Sequence, residues 1–124
     1  MPAKVGFLVI DTVDPERLAP FWCGLLAVEV ASRISDGQYV ILSPTQDGLT
    51  IAFQRVPEAK AGKNRLHLDL DVDDLDAATT EIEQLGGRWR EPGNTRTLGD
   101  FHWRCMADPE DNEFDIAASS SGDA

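Results

Sequence analysis

The chain has 124 residues and a hydrophobic content of 42%, which suits one ordinary globular domain. Its 22 acidic and 11 basic side chains give a formal net charge of -11, and such a surface repels phosphate backbones and anionic lipid. We therefore expect neither nucleic acid nor a membrane as partner. The apolar stretch near the N-terminus reaches Asp11 too soon for a signal peptide, so we expect a cytoplasmic location.

The chain opens with a strand-like segment and then a helical one. The alternating sequence FLVIDTVD predicts the first strand over residues 7–14. Asp14 offers an N-cap with Pro15 at the first helical position, and apolar side chains at helical spacing carry the predicted helix to about Leu25. Pro20 lies far enough inside to cost a backbone hydrogen bond, so we expect a kink or a loose first turn.

Three strands are predicted to follow this helix. Residues 28–32 and 38–42 flank an Asp36-Gly37 turn, which is typical of a β-hairpin. Residues 49–56 alternate and predict the next strand. A polar segment with two lysines, residues 57–64, reads as a linker.

The second half of the chain repeats this order. At an offset of 60 positions, from Phe7 to His67, the segment HLDLDVDD aligns with FLVIDTVD. A helical pattern follows, with Asp73 or Asp74 as its cap and Gly86-Gly87 as its C-terminal stop. The other predictions for this half are strands over 88–91, 101–106 and 113–117, a polar loop over 92–100 and a turn over 108–112.

The order β-α-β-β-β thus occurs twice, and we predict one α+β domain built from two copies of one module. The predicted segments are module one over 4–56, the linker over 57–64, module two over 65–117 and a flexible tail over 118–124. Because neither half alone has enough core, the two must pack together, within one chain or across a dimer.

The segments HLDLDVDDLDAATTEIEQLGG and MADPEDNEFDI resemble the second half of vicinal-oxygen-chelate proteins, which include glyoxalase I, bleomycin-type resistance proteins and extradiol dioxygenases. VIDTVDPERLAPFW and LTIAFQRVPEAKAGKNRLHLDL resemble the bacterial glyoxalase-like domain subgroup, so the resemblance covers about residues 5–117. It implies the glyoxalase/bleomycin resistance/dioxygenase fold, in which two βαβββ modules form a cup of curved mixed sheets, usually in a homodimer. In metal-dependent members, the first and last strands of each module each supply one ligand to a divalent ion.

Carried over residue by residue, this pattern leaves an incomplete metal site. The resemblance places ligands on His67 and on Asp115, where glutamate is more typical. In the first module the positions fall on Phe7 and Ala52, which cannot bind metal, while Gln54 is an alternative one pleat further on. A catalytic ion needs at least three protein ligands. We therefore expect no resident cofactor, with zinc, nickel, manganese or iron held weakly by His67, Gln54 and Asp115 as the alternative.

Strand alternation assigns two faces to residues 66–72. His67 and Asp69 share one face, which in the resembled fold lines the cup. Asp69 could orient the imidazole of His67 and raise its basicity, so this pair is our candidate catalytic base. The opposite face, predicted to pack on the helices, comprises Leu66, Leu68, Leu70 and Val72.

Other pocket residues follow from the same alternation. Trp103 shares its parity with Phe101 and Cys105, but the sequence leaves open which face they occupy. Since no zinc motif or export signal accompanies Cys23 and Cys105, both are interpreted as reduced, buried small side chains. The ligand-binding residues predicted for the cup are Phe7, Val9, Gln54, His67, Trp103 and Asp115.

These observations predict a glyoxalase-like protein that binds a hydrophobic or aromatic small molecule in the cup without a complete metal site. The alternative is an enzyme, either a metal-dependent lyase, isomerase or dioxygenase of the glyoxalase superfamily or a metal-free acid-base catalyst using His67 and a carboxylate. A ligand sensor without turnover is a third possibility. Fold alone does not decide between them.

Overall fold

The computed structural model of the chain describes residues 2–119. The chain divides into two compact units, Met1–Lys60 and Ala61–Ala124, and each contains one helix and one mixed sheet. The predicted α+β class and the doubled βαβββ order are confirmed, with one additional short strand in the second unit. The part of the predicted tail beyond Ser119 lies outside the described residues. Neither helix among the described residues is long and apolar enough to cross a bilayer.

The first unit has a four-stranded sheet. In this sheet the strand order is β1-β4-β3-β2, with β1 and β4 parallel and the other neighbours antiparallel. Its elements are β1 (Leu8–Thr12), α1 (Pro15–Leu26), β2 (Val30–Ile34), β3 (Tyr39–Leu42) and β4 (Ile51–Arg55).

Helix α1 packs its apolar stripe on strands β3 and β4. Leu18, Phe21 and Trp22 are 0–2% exposed, and the two aromatic rings meet edge to face with centroids 5.3 Å apart. From the sheet, Val40 and Phe53 are fully buried as well. Because neighbouring residues on a strand point to opposite faces, the other face of this sheet carries Val9, Tyr39 and Gln54.

The sequence predicts a kink or a loose first turn in α1, and the structure excludes the second of these. The amides of Arg17 and Leu18 both donate to the Asp14 carbonyl, at 3.2 and 3.1 Å, so the first turn is closed and the predicted loose turn is absent from this helix. The helix continues past Pro20 and ends where Ala27 adopts a left-handed φ of 56°.

The second unit has a five-stranded sheet in the order β5-β9-β8-β6, with β7 also paired to β8. Strands β5 and β9 are parallel, and all other pairs are antiparallel. Its elements are β5 (Asp69–Asp71), α2 (Leu75–Gln84), β6 (Arg88–Trp89), β7 (Arg96–Leu98), β8 (Phe101–Ala107) and β9 (Glu113–Ser119).

Helix α2 covers one face of this sheet and packs against β6 and β9. Ile82 from the helix meets a fully buried layer of sheet side chains, Met106, Phe114 and Ile116, each at most 1% exposed. The helix is stopped by Gly86, whose φ of 104° is readily adopted only by glycine. The glycine stop predicted from the sequence is therefore confirmed.

Arg104 fixes which face of β8 looks toward the helix. Its guanidinium donates to Thr79 Oγ1 and to Asp76 Oδ1, both at 2.8 Å, and to Thr95 Oγ1 at 2.9 Å. It also lies 4.2 Å from the centroid of the Trp89 ring, as in a cation–π contact. Since alternate residues take opposite faces, the neighbours of Arg104 in β8 point away from α2.

Two predictions for this unit are wrong. Leu66 is 84% exposed, because strand β5 begins only at Asp69 and Leu66 lies before it. The loop predicted over 92–100 contains the short edge strand β7, whose residues are exposed and therefore show no buried face in the sequence. Strand β9 also runs to Ser119, two residues past the predicted end of module two.

Candidate functional site

Parallel pairing of β5 with β9 brings two carboxylates side by side. Asp69 is the direct partner of Asp115, and the Asp115 amide donates to the Leu68 carbonyl at 2.9 Å, which continues the ladder toward His67. His67 precedes the strand, and its contacts with both carboxylates place its ring on the same face. All three side chains point away from the face on which Phe114 and Ile116 are buried under α2.

The three side chains meet at the imidazole of His67. Its Nε2 lies 3.2 Å from Asp69 Oδ1 and 3.4 Å from Asp115 Oδ2. One ligand atom from each residue falls within 4.8 Å of the others. The side chains of His67 and Asp69 are 50% and 57% exposed, whereas that of Asp115 is only 13% exposed. The cluster is thus open on one side and anchored in the sheet on the other.

Asp115 is the perturbed member of this cluster. Burial raises the pKa of its carboxyl group above the usual value, and the nearby charge of Asp69 raises it further. A hydrogen bond from Cys105 and the proximity of His67 act in the opposite direction and lower that pKa. The anion is therefore poorly solvated, and a cation placed beside it would be stabilised.

The donor set fits a divalent metal ion. Two nitrogen or oxygen ligands at about 2.0–2.1 Å from a tetrahedral ion lie about 3.3–3.4 Å apart, close to the separations found around His67 Nε2. Imidazole and carboxylate together suit zinc, manganese, iron and nickel. His67, Asp69 and Asp115 would supply three ligands and leave an open position on the exposed side, as a catalytic site requires.

The sequence analysis did not count Asp69 among the candidate metal ligands, although the structure places it with His67 and Asp115. The resembled family pattern takes one residue from the first strand and one from the last, so Asp69 received only the role of orienting His67. The contact between these two side chains is present in the structure. Strand parity already placed both on one face, and that was the signal from which a third donor could have been inferred.

Strand β8 extends this face beyond Asp115. Cys105 is the direct partner of Asp115, and Trp103 is the partner of Ala117, so both side chains lie on the face of the cluster. Phe101 follows on the same face, with its ring centroid 6.0 Å from that of Trp103. This resolves the orientation that the sequence left open and places an aromatic surface beside the polar cluster. The interpretation of Cys105 as a buried side chain is wrong, since it and Cys23 are partly exposed.

A charged group supports Cys105 from the other side. The Arg90 amide donates to the Cys105 carbonyl at 2.9 Å, and the Arg90 guanidinium lowers the pKa of the thiol, which burial raises overall. Arg90 Nη1 lies 3.3 Å from Glu113 Oε2, and Lys63 Nζ lies 2.5 Å from Glu113 Oε1. Sequence reasoning missed Arg90 because its place depends on the register of β6 against β8, for which no pattern gave a signal.

The first unit has the same strand pairing as the second, but its side chains at the corresponding positions carry no donor groups. Val9 pairs with Ala52 in the parallel β1–β4 ladder, as Asp69 pairs with Asp115 in β5–β9. Ala52 is therefore the counterpart of Asp115, as the sequence alignment predicted. Phe7, which precedes β1, is the counterpart of His67 and is 54% exposed. None of these three side chains can bind a metal ion.

The remaining predicted residues of the first unit lie on the same face of its own sheet. Val9 is 50% exposed on β1. Gln54 is partly exposed on β4 and pairs with Asp11 and Tyr39. Their assignment to a ligand pocket, and that of Phe7, stays a prediction.

Comparisons with solved structures show the same fold. Fosfomycin resistance protein FosX from Listeria monocytogenes, solved as an E126Q mutant with Mn(II) and 1S,2S-dihydroxypropylphosphonic acid, is 16% identical, with a TM-score of 0.77 over 99% of this chain and 95% of that one. A glyoxalase/bleomycin resistance protein/dioxygenase family enzyme from Burkholderia phytofirmans PsJN is 17% identical, with a TM-score of 0.76 over 94% and 99%. FosX from Mesorhizobium loti is 15% identical, with a TM-score of 0.73 over 98% and 96%.

At these identities the structural likeness is evidence of fold alone. No curated protein sequence matches the chain significantly. The family model described as "Glyoxalase-like domain" matches residues 7–117, which include both βαβββ units and the cluster around His67. The chain therefore belongs to the glyoxalase-like domain family.

Proposed function

We propose that the second unit binds a divalent metal ion through His67, Asp69 and Asp115 and presents it to a small molecule that carries oxygen ligands. The observation that supports this most directly is the convergence of three donor atoms within 4.8 Å of one another. The exposed side of His67 and Asp69 leaves access for a ligand, and the partly buried Asp115 anchors the site in the sheet.

The residues around the cluster suggest what such a ligand looks like. Trp103 and Phe101 form a tilted aromatic pair on the same face, which would pack on an aromatic or hydrophobic group. A bound divalent ion would act as a Lewis acid on an oxygen atom of the ligand. His67 and Asp69 would orient that oxygen. The Listeria FosX structure, with Mn(II) and a dihydroxy phosphonate, is a precedent for this combination on the same fold.

In terms of reaction class, this site favours the enzyme alternative, a glyoxalase-like lyase or isomerase. The whole chain carries a formal net charge of -11, which favours a cation over an anionic substrate at long range. The homodimer and the cytoplasmic location inferred from the sequence remain part of this proposal.

A second candidate function is metal-free ligand binding, and the first unit provides the observation that favours it. Its counterparts of the three donors, Phe7, Val9 and Ala52, are apolar. A cluster confined to one unit could serve instead as a polar anchor for the ligand, with the His67–Asp69 pair as a general base when a substrate proton lies within reach.

Calorimetric titration of the chelator-stripped protein with zinc, nickel, manganese and iron tests the proposal. We expect one ion per chain for the wild-type protein. The His67→Ala variant should bind it more than about 100-fold more weakly, beyond the range typical of residues that merely support a ligand. His102→Ala is the matched control, because His102 lies on the opposite face of β8 and contacts Thr97 at 3.0 Å.

Absence of stoichiometric binding by the wild-type protein, or equal affinity in His67→Ala, would contradict the metal site. Retention of an aromatic ligand by the metal-stripped wild-type protein, lost in Trp103→Ala, would then support the second candidate.

A further inference from the structure

Cys105 lies directly beside the carboxylate on which the proposed metal site depends. In the antiparallel β8–β9 ladder Cys105 is the direct partner of Asp115. On the other side of β9, Asp115 is paired with Asp69 of β5. Three side chains from three neighbouring strands therefore form one row. Side chains directly opposite in a sheet are close enough to contact each other.

Cys105 also lies beside a charged network of the second unit. Burial and the Asp115 carboxylate raise the pKa of this thiol, whereas the Arg90 guanidinium lowers it, as expected for a sulfur that lies near both groups. Arg90 is held by Glu113, whose side chain is only 8% exposed and is itself paired with Lys63. The Glu113 amide also donates to the Asn64 side chain at 3.1 Å. The backbone of Cys105 is bound to Arg90, which these contacts hold in place.

A carboxylate used as a metal ligand must present the correct oxygen. Asp115 Oδ2 already lies 3.4 Å from His67 Nε2. A thiol donor directly opposite in the sheet would oppose rotation of the group and keep Oδ2 turned toward His67. Outer partners of this kind orient metal ligands, and their loss typically weakens metal binding by 10–100-fold.

We infer that Cys105 is a positioning residue of the second unit, where its thiol orients the Asp115 carboxylate for metal binding. This rests on the proposed function. Cys105 acts through Asp115, since the donor atoms that lie within 4.8 Å of one another belong to His67, Asp69 and Asp115. Neither the resembled family pattern nor the sequence analysis gives this cysteine a role.

The test compares Cys105→Ala, Cys105→Ser and Cys23→Ala with the wild-type protein. The probes are Zn²⁺ and Co²⁺ alone, and their affinities are measured by competition with a chromophoric chelator. We expect Cys105→Ala to bind Zn²⁺ roughly tenfold more weakly, the lower end of the range for outer partners. Cys105→Ser keeps a hydrogen-bond donor and should restore most of the affinity. Cys23→Ala removes the other partly exposed thiol, which lies on α1, and should change nothing.

The Co²⁺ spectrum separates positioning from direct ligation. We expect d–d bands without a thiolate-to-cobalt charge-transfer band in the wild-type protein, because the sulfur is not a ligand. Such a band, present in the wild type and lost in Cys105→Ala, would overturn the inference.

Equal Zn²⁺ affinity in Cys105→Ala and the wild type would also overturn it, as would a Cys105→Ser variant no better than Cys105→Ala. In both cases a metal-binding wild type leaves the proposed function intact. A wild-type protein that binds neither ion would overturn both proposals together.

Discussion

Asp115 holds a charge in a position that solvates it poorly. Its side chain is 13% exposed, and burial is the main reason why its pKa is raised. The stabilising influences of Cys105 and His67 do not offset that burial. A titratable group in such an unfavourable setting is typical of functional sites, where a ligand rather than the fold stabilises the charge.

The raised pKa has a consequence for stability that can be measured without metal. Because the folded state binds the proton of Asp115 more tightly than the unfolded chain does, the ionised carboxylate destabilises the fold above its raised pKa. The effect disappears below the ordinary value of 3.8. We expect Asp115→Asn to raise the free energy of unfolding relative to wild type at pH 7, and this difference to shrink as the pH falls toward that value.

Urea unfolding of both proteins at the two ends of this pH range checks the expectation. Asp71→Asn is a suitable control, since Asp71 is an exposed carboxylate on the same strand as Asp69. An Asp115→Asn variant that is less stable than wild type at pH 7 would show that the ionised carboxylate stabilises the fold.

The face on which a side chain lies was predictable wherever alternation along its own strand determines it. Alternation along one strand was enough to put His67 and Asp69 on one face. It could not assign the face of Cys105 and Trp103, because that depends on the register of β8 against β9. Register is set by pairing across the turn over 108–112, where the Asp108 side chain accepts from the amides of Glu110 and Asn112, and no periodicity in the sequence encodes it.

The two helices begin after an aspartate, yet only one of these aspartates caps its helix. Asp74 Oδ1 accepts from the amides of Asp76 and Ala77 at 2.9 and 3.2 Å. The side chain of Asp14 makes no capping bond, and its amide instead donates to Thr12 Oγ1 at 3.0 Å. The same residue type at the same position of the repeat therefore has different effects.

This difference predicts unequal costs for one substitution. Asp74→Ala should lower the free energy of unfolding by about 1 kcal/mol, the typical value for the loss of an N-cap. Asp14→Ala should cost clearly less, because no capping bond is lost. Thermal or urea unfolding of the two variants, measured beside wild type, provides the comparison. Equal losses would mean that Asp14 caps α1 in solution.

Helices and strands that bury a regular row of apolar side chains could be predicted from the sequence, and those that bury none could not. The apolar spacing of α1 and α2 reflects real burial, so both helices were found with nearly correct ends. Strand β7 is short and all three of its residues are exposed, and its strand pairing is with β8. The prediction for the residues before β5 failed for the opposite reason, since Leu66 is apolar but is 84% exposed.

The excess of acidic side chains acts on the molecule as a whole. A formal net charge of -11 attracts cations from a distance, in addition to the local donors of the proposed site. Charges separated by more than about 10 Å are largely screened at 0.1 M ionic strength. Added salt should therefore weaken the attraction of the metal ion by distant acidic side chains and leave its binding to the nearest donors largely unchanged.

We accordingly expect the apparent affinity for a divalent ion to fall as NaCl is raised from low millimolar concentration through 0.1 M, the range over which screening becomes effective. The measurement is a chelator competition at several salt concentrations, with sucrose of matched osmolality as the control. An affinity that does not change with NaCl would mean that only the nearest charges matter.

The doubling of the fold was the feature most accessible from sequence, because each copy carries its own alternation, cap and stop signals. The equal register of β1–β4 and β5–β9 has a consequence for how the two copies can diverge. Backbone hydrogen bonds do not depend on which side chains occupy these positions. A duplicated module can therefore keep its fold while its two copies differ in the groups on this face. In the first unit Phe7, Val9 and Ala52 occupy these positions without any metal-binding or acid-base group, so the two units share one backbone register and differ in the chemistry of this face.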